Sequence, residues 1–219
     1  MKKNLLQFPE QCLVGKVVPK TAFYRFMDVS PKLKQHFVDE VEQITWLYKL
    51  APSTVNIIDG NSVHEIAIFY VSLKTDRCPN DVFAFIDKNL PRHVVFVLEY
   101  AQKYLLYINY KEWLDKDKGT FRITESFSSA WLTEDALTLP LNGLSLDTVY
   151  ENFVRHIGAS RIDLSCENLQ EAVEVTQQRE ELERQIKVLK KKATHERQPQ
   201  KKYSLHTKII ELETLIGKH

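Results

Sequence analysis

The chain has 219 residues, of which 43% are hydrophobic and 27% are charged, and this composition is typical of a globular protein. It excludes a collagen-like chain, low-complexity disorder and a disulfide scaffold, because there are only three, widely spaced cysteines. Thirty basic residues nearly balance 29 acidic ones, which argues against a histone-like protein but leaves room for a local basic patch.

The first quarter of the chain predicts one strand and two helices. Valines at 14, 17 and 18 predict an edge strand, and residues 20–27 predict a short helix. Ser30 and Pro31 form a helix start, an N-cap residue followed by proline at the first helical position. The apolar residues that follow recur at spacings of three and four, so we expect a helix over residues 31–51, stopped by Pro52.

The middle of the chain predicts a sheet. Residues 65–74, EIAIFYVSLK, are apolar at both alternating sets of positions, which indicates a central strand covered on both sides. A short strand is expected before it, over residues 55–59. The later segments predict a helix, a β-hairpin, a further strand and a helix capped by Ser145, over residues 80–89, 94–110, 121–127 and 146–157, respectively.

The last quarter predicts two helices joined by a short polar link that contains Pro199. The apolar residues of the second helix follow the 4-3-4 spacing of a coiled coil. Two such helices pack on each other, on a partner or on a second copy, and the candidate residues are Leu182, Ile186, Leu189, Leu205, Ile209, Leu212 and Ile216. We therefore predict an α+β (α/β-like) main domain over residues 1–165, with a central mixed β-sheet and flanking helices, followed by an antiparallel helical hairpin over residues 168–219.

Motifs for nucleotide, zinc and serine-nucleophile chemistry are not found. The chain has no GxxxxGK[ST], GxGxxG, HExxH or GxSxG motif, and its seven histidines never pair at metal-ligand spacing. We therefore expect no cofactor and no metal.

The beginning of the chain has no apolar signal segment, and its longest apolar run, IAIFYV, is too short to cross a membrane. These features favour a cytoplasmic protein without membrane contact.

One order of elements loosely resembles the core of the PD-(D/E)xK nucleases. In that core, two carboxylates hold Mg²⁺ and a lysine helps to orient the attacking water. Asp59, Glu65 and Lys74 are the candidate catalytic residues here. However, Ser72 stands where the family has its middle carboxylate, and a hydroxyl is a weaker Mg²⁺ ligand. The alternative is that Asp59 belongs to a turn and that Lys74 extends into water at a strand end.

Two groups of basic residues are candidates for nucleic-acid binding, because lysine and arginine neutralise phosphates. One group lies in a basic N-terminal arm and the other near the turn between the last two helices. The candidates are Lys2, Lys3, Lys16, Lys20, Arg25, Lys190, Lys191, Lys192, Lys201 and Lys202. The alternative is that these lysines are simply solvated.

Several segments together resemble one bacterial and phage-borne family. They are ITWLYKLAPST at residues 44–54, the strand EIAIFYVSLK, the pair HVVFVLEY and INYKEW, and REELERQIKVLKKK near the end. The chain is identified on these segments as a member of the family labelled domain of unknown function 4391. The resemblance implies genes beside helicase-like ATPases and DNA methyltransferases, in restriction-like anti-phage loci. It implies no particular catalytic residue.

This resemblance leads to the expected function. We expect a non-catalytic accessory or adaptor subunit of a DNA-acting anti-phage complex, which docks a helicase or methyltransferase subunit through the hairpin and contacts DNA. The alternatives are a divergent Mg²⁺-dependent nuclease and a standalone nucleic-acid-binding module. Only the nuclease alternative requires a cofactor, Mg²⁺.

Overall fold

The protein is described from a computed structural model, which covers residues 4–25, 29–115, 120–163, 165–166 and 168–216. The chain divides into two compact units, Met1–Ser160 and Arg161–His219. The first unit contains a six-stranded sheet and the second contains two long helices. The predicted α+β class, with a mixed sheet and a C-terminal helical pair, is confirmed.

The sheet follows the chain, since each strand pairs with the one before it. All neighbouring pairs are antiparallel except β3 and β4, which are parallel. A parallel pair needs a crossover connection, and a helix between these two strands supplies it. The strands are β1 Leu13–Val18, β2 Val41–Leu50, β3 Ile66–Leu73, β4 His93–Tyr100, β5 Lys103–Asp115 and β6 Thr120–Ser128. The helices of this unit are α1 Thr21–Tyr24, α2 Pro31–Asp39, α3 Pro52–Val55, α4 Asn80–Lys88 and α5 Leu146–Ile157.

The predicted long helix over residues 31–51 is wrong in its second half. The helix begins as expected, with the Ser30 side chain accepting a hydrogen bond from the Leu33 amide, but α2 ends at Asp39. After Glu40, the ten residues Val41–Leu50 form β2, in which Ile44, Leu47 and Tyr48 are buried. A strand that is buried on both faces shows no polar alternation, so its apolar residues can imitate helical spacing. The short strand expected over residues 55–59 is also absent, because α3 and an isolated bridge at Ile58 occupy this region.

Two lysines hold the junction at which α2 gives way to β2. The Lys20 ammonium donates to the carbonyl oxygens of Phe37 and Val41, at 3.1 and 2.7 Å. The Lys74 ammonium donates to the carbonyl oxygen of Val38 at 2.8 Å. The last carbonyl groups of a helix have no partner within the helix, so cations placed there stabilise its end.

The predicted central strand is covered on both sides. Along β3, Ala67, Phe69 and Val71 belong to an apolar core that also contains Phe37 of α2 and Phe83 of α4. On the opposite face of the same strand, Ile66 and Ile68 are fully buried. This second face contributes to a separate part of the core.

Helix α5 covers that second face of the sheet. Its Phe153 ring stacks on Phe8 with centroids 6.5 Å apart, and Phe8 in turn meets Tyr48 of β2. The Ser145 side chain caps α5 by accepting from the Thr148 amide, as the sequence predicts. The sheet of the first unit therefore lies between two layers of helices.

The second unit is a helical hairpin of α6, Leu169–His195, and α7, Pro199–Ile216. Ile186 and Ala193 of α6 and Ile209 of α7 are buried together, and further apolar residues of both helices pack against them. Asn168 caps α6 by accepting from the amides of Gln170 and Glu171. Within the described ranges, no helix is both long and apolar enough to span a membrane.

Candidate functional site

The three candidate nuclease residues lie in separate environments. The Asp59 carboxylate is exposed and lies 3.1 Å from Nδ1 of His64. Glu65 forms ion pairs with Lys49, at 3.1 Å, and with Arg92. The Lys74 ammonium binds the end of α2, as described above. Each of these polar groups already has a partner within the fold.

The separation of Glu65 and Lys74 bears on the nuclease hypothesis. Glu65 directly precedes the eight-residue strand β3 and Lys74 directly follows it. At about 3.3 Å per residue, the two side chains start roughly 30 Å apart. A shared Mg²⁺ site needs all its groups within a few ångströms, with oxygen ligands near ~2.1 Å. The described part of the chain also contains no cluster of three or more metal-ligating His, Cys, Asp or Glu side chains. The structure therefore does not bring Asp59, Glu65 and Lys74 together into one metal site.

The N-terminal basic group is largely dispersed. Lys2 and Lys3 lie outside the described residues. Lys16 is exposed on β1, at the edge of the sheet, and Arg25 is exposed just after α1. Lys20 is held at the end of α2, where burial lowers the pKa of its ammonium and the nearby Lys74 charge lowers it further. Lys20 thus has a structural task, and a nucleic-acid role for Lys16 and Arg25 stays a prediction.

The second basic group remains together on the surface of the hairpin. Residues 184–208 span the end of α6, the link and the first half of α7, and we call them the basic end of the hairpin. This stretch contains nine basic residues and one acidic residue. The candidates Lys190, Lys191, Lys192, Lys201 and Lys202 are all exposed within it.

Few of these charges are neutralised. Lys190 pairs with Glu213 at 2.7 Å, and Arg184 pairs with Glu181 at 3.2 Å. No carboxylate of the described residues forms an ion pair with Lys191, Lys192, Lys201 or Lys202. A dense group of exposed, unpaired ammonium groups produces a positive local field, which attracts phosphates.

The seam predicted for partner binding is used inside the hairpin. Ile186 and Ile209 are buried between α6 and α7, at 7% and 5% exposure. Leu189, Leu205, Leu212 and Ile216 pack against the same cluster, and Leu182 is half-buried. These residues hold the two helices together, so a partner of the hairpin has to bind a different face of it.

A buried ion pair is the main polar feature that the sequence did not reveal. Asp87 of α4 and Lys111 of β5 meet at 2.7 Å, and both side chains are 0% exposed. The Lys111 ammonium also donates to the carbonyl oxygens of Asp87 and Arg92, at 3.1 and 2.6 Å. Asn109 donates to the Asp87 carboxylate at 2.9 Å. Burial raises the pKa of Asp87 and lowers that of Lys111, and their mutual attraction opposes both shifts.

Two aromatic groups complete this buried cluster. The Tyr150 hydroxyl of α5 donates to the Asn109 carbonyl at 2.6 Å and accepts from the Lys111 amide at 3.2 Å. The His93 ring packs edge-on against Tyr150, with centroids 4.4 Å apart, and is 3% exposed. Burial lowers the pKa of His93 to about 3, and the Lys111 charge adds to this effect. Lys111 thus contacts the Asp87 carboxylate and donates to two backbone carbonyls, and the cluster ties α4, β4, β5 and α5 together.

Comparison with known families gives a match over almost the whole chain. Residues 6–216 match the model of the family described as "Domain of unknown function (DUF4391)". The chain belongs to this family. No curated protein and no solved structure matches the chain. The match identifies the family, and the family's description assigns no reaction or partner.

Proposed function

We propose that the protein is a cytoplasmic, non-catalytic accessory subunit of a DNA-acting anti-phage complex. In this proposal the basic end of the hairpin lies against the DNA backbone, and the subunit docks a helicase-like ATPase or a DNA methyltransferase. One observation carries the DNA contact, namely nine basic residues and a single acidic one within residues 184–208. The defence context is supported by the family resemblance.

The magnitude of this contact follows from counterion release. Four unpaired lysines, Lys191, Lys192, Lys201 and Lys202, are exposed in the basic end. The logarithm of the DNA association constant falls with the logarithm of salt by about 0.9 per phosphate contact. Four contacts therefore give the association constant a logarithmic salt slope of about −3.6, and they increase the DNA affinity roughly 10²–10³-fold at ~0.15 M salt.

The hairpin also supports the adaptor part of the proposal. An accessory subunit needs a surface that binds its partner enzyme. The two helices of the hairpin form a unit separate from the sheet, and their exposed side chains offer such a surface. Because the inner seam holds the two helices together, we place the enzyme on an outward-facing surface of the hairpin. A standalone nucleic-acid-binding module is the second candidate function, and the same basic end favours it.

The DNA contact is tested with full-length protein and a fluorescent 30-base-pair duplex. Replacing the four lysines by Gln should weaken binding about 10²–10³-fold at ~0.15 M salt and reduce the salt slope by about 3.6. The matched control replaces four exposed lysines of the first unit, Lys32, Lys34, Lys88 and Lys103, by Gln. Equal weakening by both sets, or no effect of the hairpin set, would contradict the proposal. Incubation with Mg²⁺ should leave the duplex intact, because the proposed subunit does not cleave DNA.

A further inference from the structure

A cavity of about 240 Å³ lies within the first unit, between the sheet and the helices α1 and α4. Residues of β1, β2 and β3 also contribute to its walls, and Arg92, in the loop before β4, completes them. Four of the lining side chains are aromatic, namely Phe23, Trp46, Phe69 and Phe85. Protein cores are close-packed and seldom contain a space of this size. We call this space the aromatic cavity.

The size and the walls of the aromatic cavity suit a single aromatic ring. Ala22 and Asn89 line the cavity and are exposed, so it opens to solvent beside them. An engineered apolar cavity of about 150 Å³ binds benzene, so the larger space here accommodates one ring with a short substituent. The Phe69 ring lies 6.1 Å from Phe23 and 6.5 Å from Trp46, between ring centroids. Aromatic rings attract one another in such edge-on and tilted arrangements, which favours an aromatic ligand over an aliphatic one.

Arg92 gives the mouth of the aromatic cavity a positive charge. It is the one charged residue among the described residues that line the cavity, and its side chain is 29% exposed. The guanidinium lies 5.2 Å from the centroid of the Trp46 ring. Its Nη1 donates to Glu65, whereas its Nε has no hydrogen-bond partner within the described part of the chain. Glu65 also pairs with Lys49 at 3.1 Å, so two cations share one carboxylate and the group keeps one net positive charge.

We propose that the aromatic cavity binds a small aromatic monocarboxylate, with its ring between the aromatic side chains and its carboxylate at Arg92. The single negative charge of such a ligand balances the net positive charge of Arg92, Lys49 and Glu65. A planar guanidinium with several N–H donors is well suited to a carboxylate. An amine of the same shape would meet a repulsive charge, and a neutral amide would lack the attraction. The site belongs to the first unit and the basic end belongs to the second, so this binding does not depend on the proposed DNA contact.

The ligand class is tested by isothermal titration calorimetry of the full-length wild-type protein. The three probes are phenylacetate, phenylacetamide and phenethylamine, which carry the same ring with a negative, a neutral and a positive group. Phenylacetate should bind once per chain and at least tenfold more tightly than either of the other two. No binding of phenylacetate up to about 5 mM, or an affinity within tenfold of phenylacetamide, would overturn the proposal.

The position of the ligand is tested with substitutions at the mouth of the cavity. Ala22→Trp places a large ring at an exposed lining position and should weaken phenylacetate binding at least tenfold. The matched control is Thr21→Trp, at the neighbouring exposed residue of α1 outside the cavity lining, and it should bind like the wild type. Arg92→Gln should weaken phenylacetate at least tenfold and leave phenylacetamide unchanged. Equal weakening by the two tryptophan variants, or full phenylacetate affinity in Arg92→Gln, would overturn the proposal. The comparison of the three probes uses only wild-type protein, so it decides the matter even if a variant does not fold.

Discussion

Replacing His93 by Phe should make the protein less sensitive to acid. His93 is 3% exposed and packs between the rings of Phe121 and Tyr150, so the folded protein holds its imidazole neutral. Its pKa is lowered to about 3 from an ordinary value of 6.5. Below pH ~6.5 the unfolded chain therefore binds a proton at this residue that the folded chain does not bind. The free energy of unfolding is fully retained above this pH, and it falls as the pH drops toward the pKa of His93 in the folded protein.

The size of the effect follows from the difference between the pH of the experiment and the pKa of His93 in the unfolded chain. At pH ~4.5, about two units below the unfolded pKa, the lost stability amounts to roughly 3 kcal/mol. Urea unfolding at pH ~7.5 and ~4.5, followed by circular dichroism, measures this loss for the wild-type protein and for His93→Phe. The variant should lose roughly 3 kcal/mol less than the wild type between the two conditions. His206→Gln, at an exposed position of α7, is the control for removing a histidine. An identical pH dependence of His93→Phe and wild type would show that a neutral buried His93 does not cause the acid sensitivity.

Two further substitutions test the polar contacts of the sheet unit. Lys111→Met leaves the Asp87 carboxylate buried without its cation, so it should lower the free energy of unfolding by about 3–5 kcal/mol and Tm by roughly 10 °C. The double variant with Asp87→Asn should recover most of this loss. Thermal unfolding measures both variants, and a double variant no more stable than the single one would contradict the prediction. Lys74→Met removes the donor to the Val38 carbonyl and should lower the free energy of unfolding in urea by about 1 kcal/mol. The control Lys103→Met, at an exposed position, should leave it unchanged. Equal losses in both variants would disprove the role of Lys74 at the end of α2.

The parts of the fold that the sequence predicts are those with local signals. Ser145 and Asn168 are N-cap residues directly before α5 and α6, and both accept the expected backbone hydrogen bonds. The strand β3 is apolar at consecutive positions, and the structure buries both of its faces. The basic end of the hairpin is also a local feature, because its charges are close in sequence and two adjacent helix ends keep them together.

The failures come from interactions between distant residues. Nothing within residues 41–50 distinguishes a strand buried on both sides from an apolar helix, since neighbouring β1 and β3 decide the outcome. The Asp87–Lys111 pair joins residues that are far apart in sequence, and only the order of the strands and α4 brings them together. One signal was available in the sequence, because Asp87 follows Phe83 at the i+4 spacing and so lies on the apolar face of the helix. Its partner, Lys111, could not be identified without knowing the order of the strands in the sheet.

Purification of the protein from its native host tests the proposed accessory role most directly. Tagged full-length protein is purified after nuclease treatment, so that bound DNA does not connect unrelated proteins, and co-purifying proteins are identified by mass spectrometry. We expect a helicase-like ATPase or a DNA methyltransferase to co-purify in stoichiometric amount. This enzyme should remain bound when Lys191, Lys192, Lys201 and Lys202 are replaced by Gln. Recovery of the chain without either enzyme, or cleavage of DNA by the purified chain alone, would contradict the proposed accessory role.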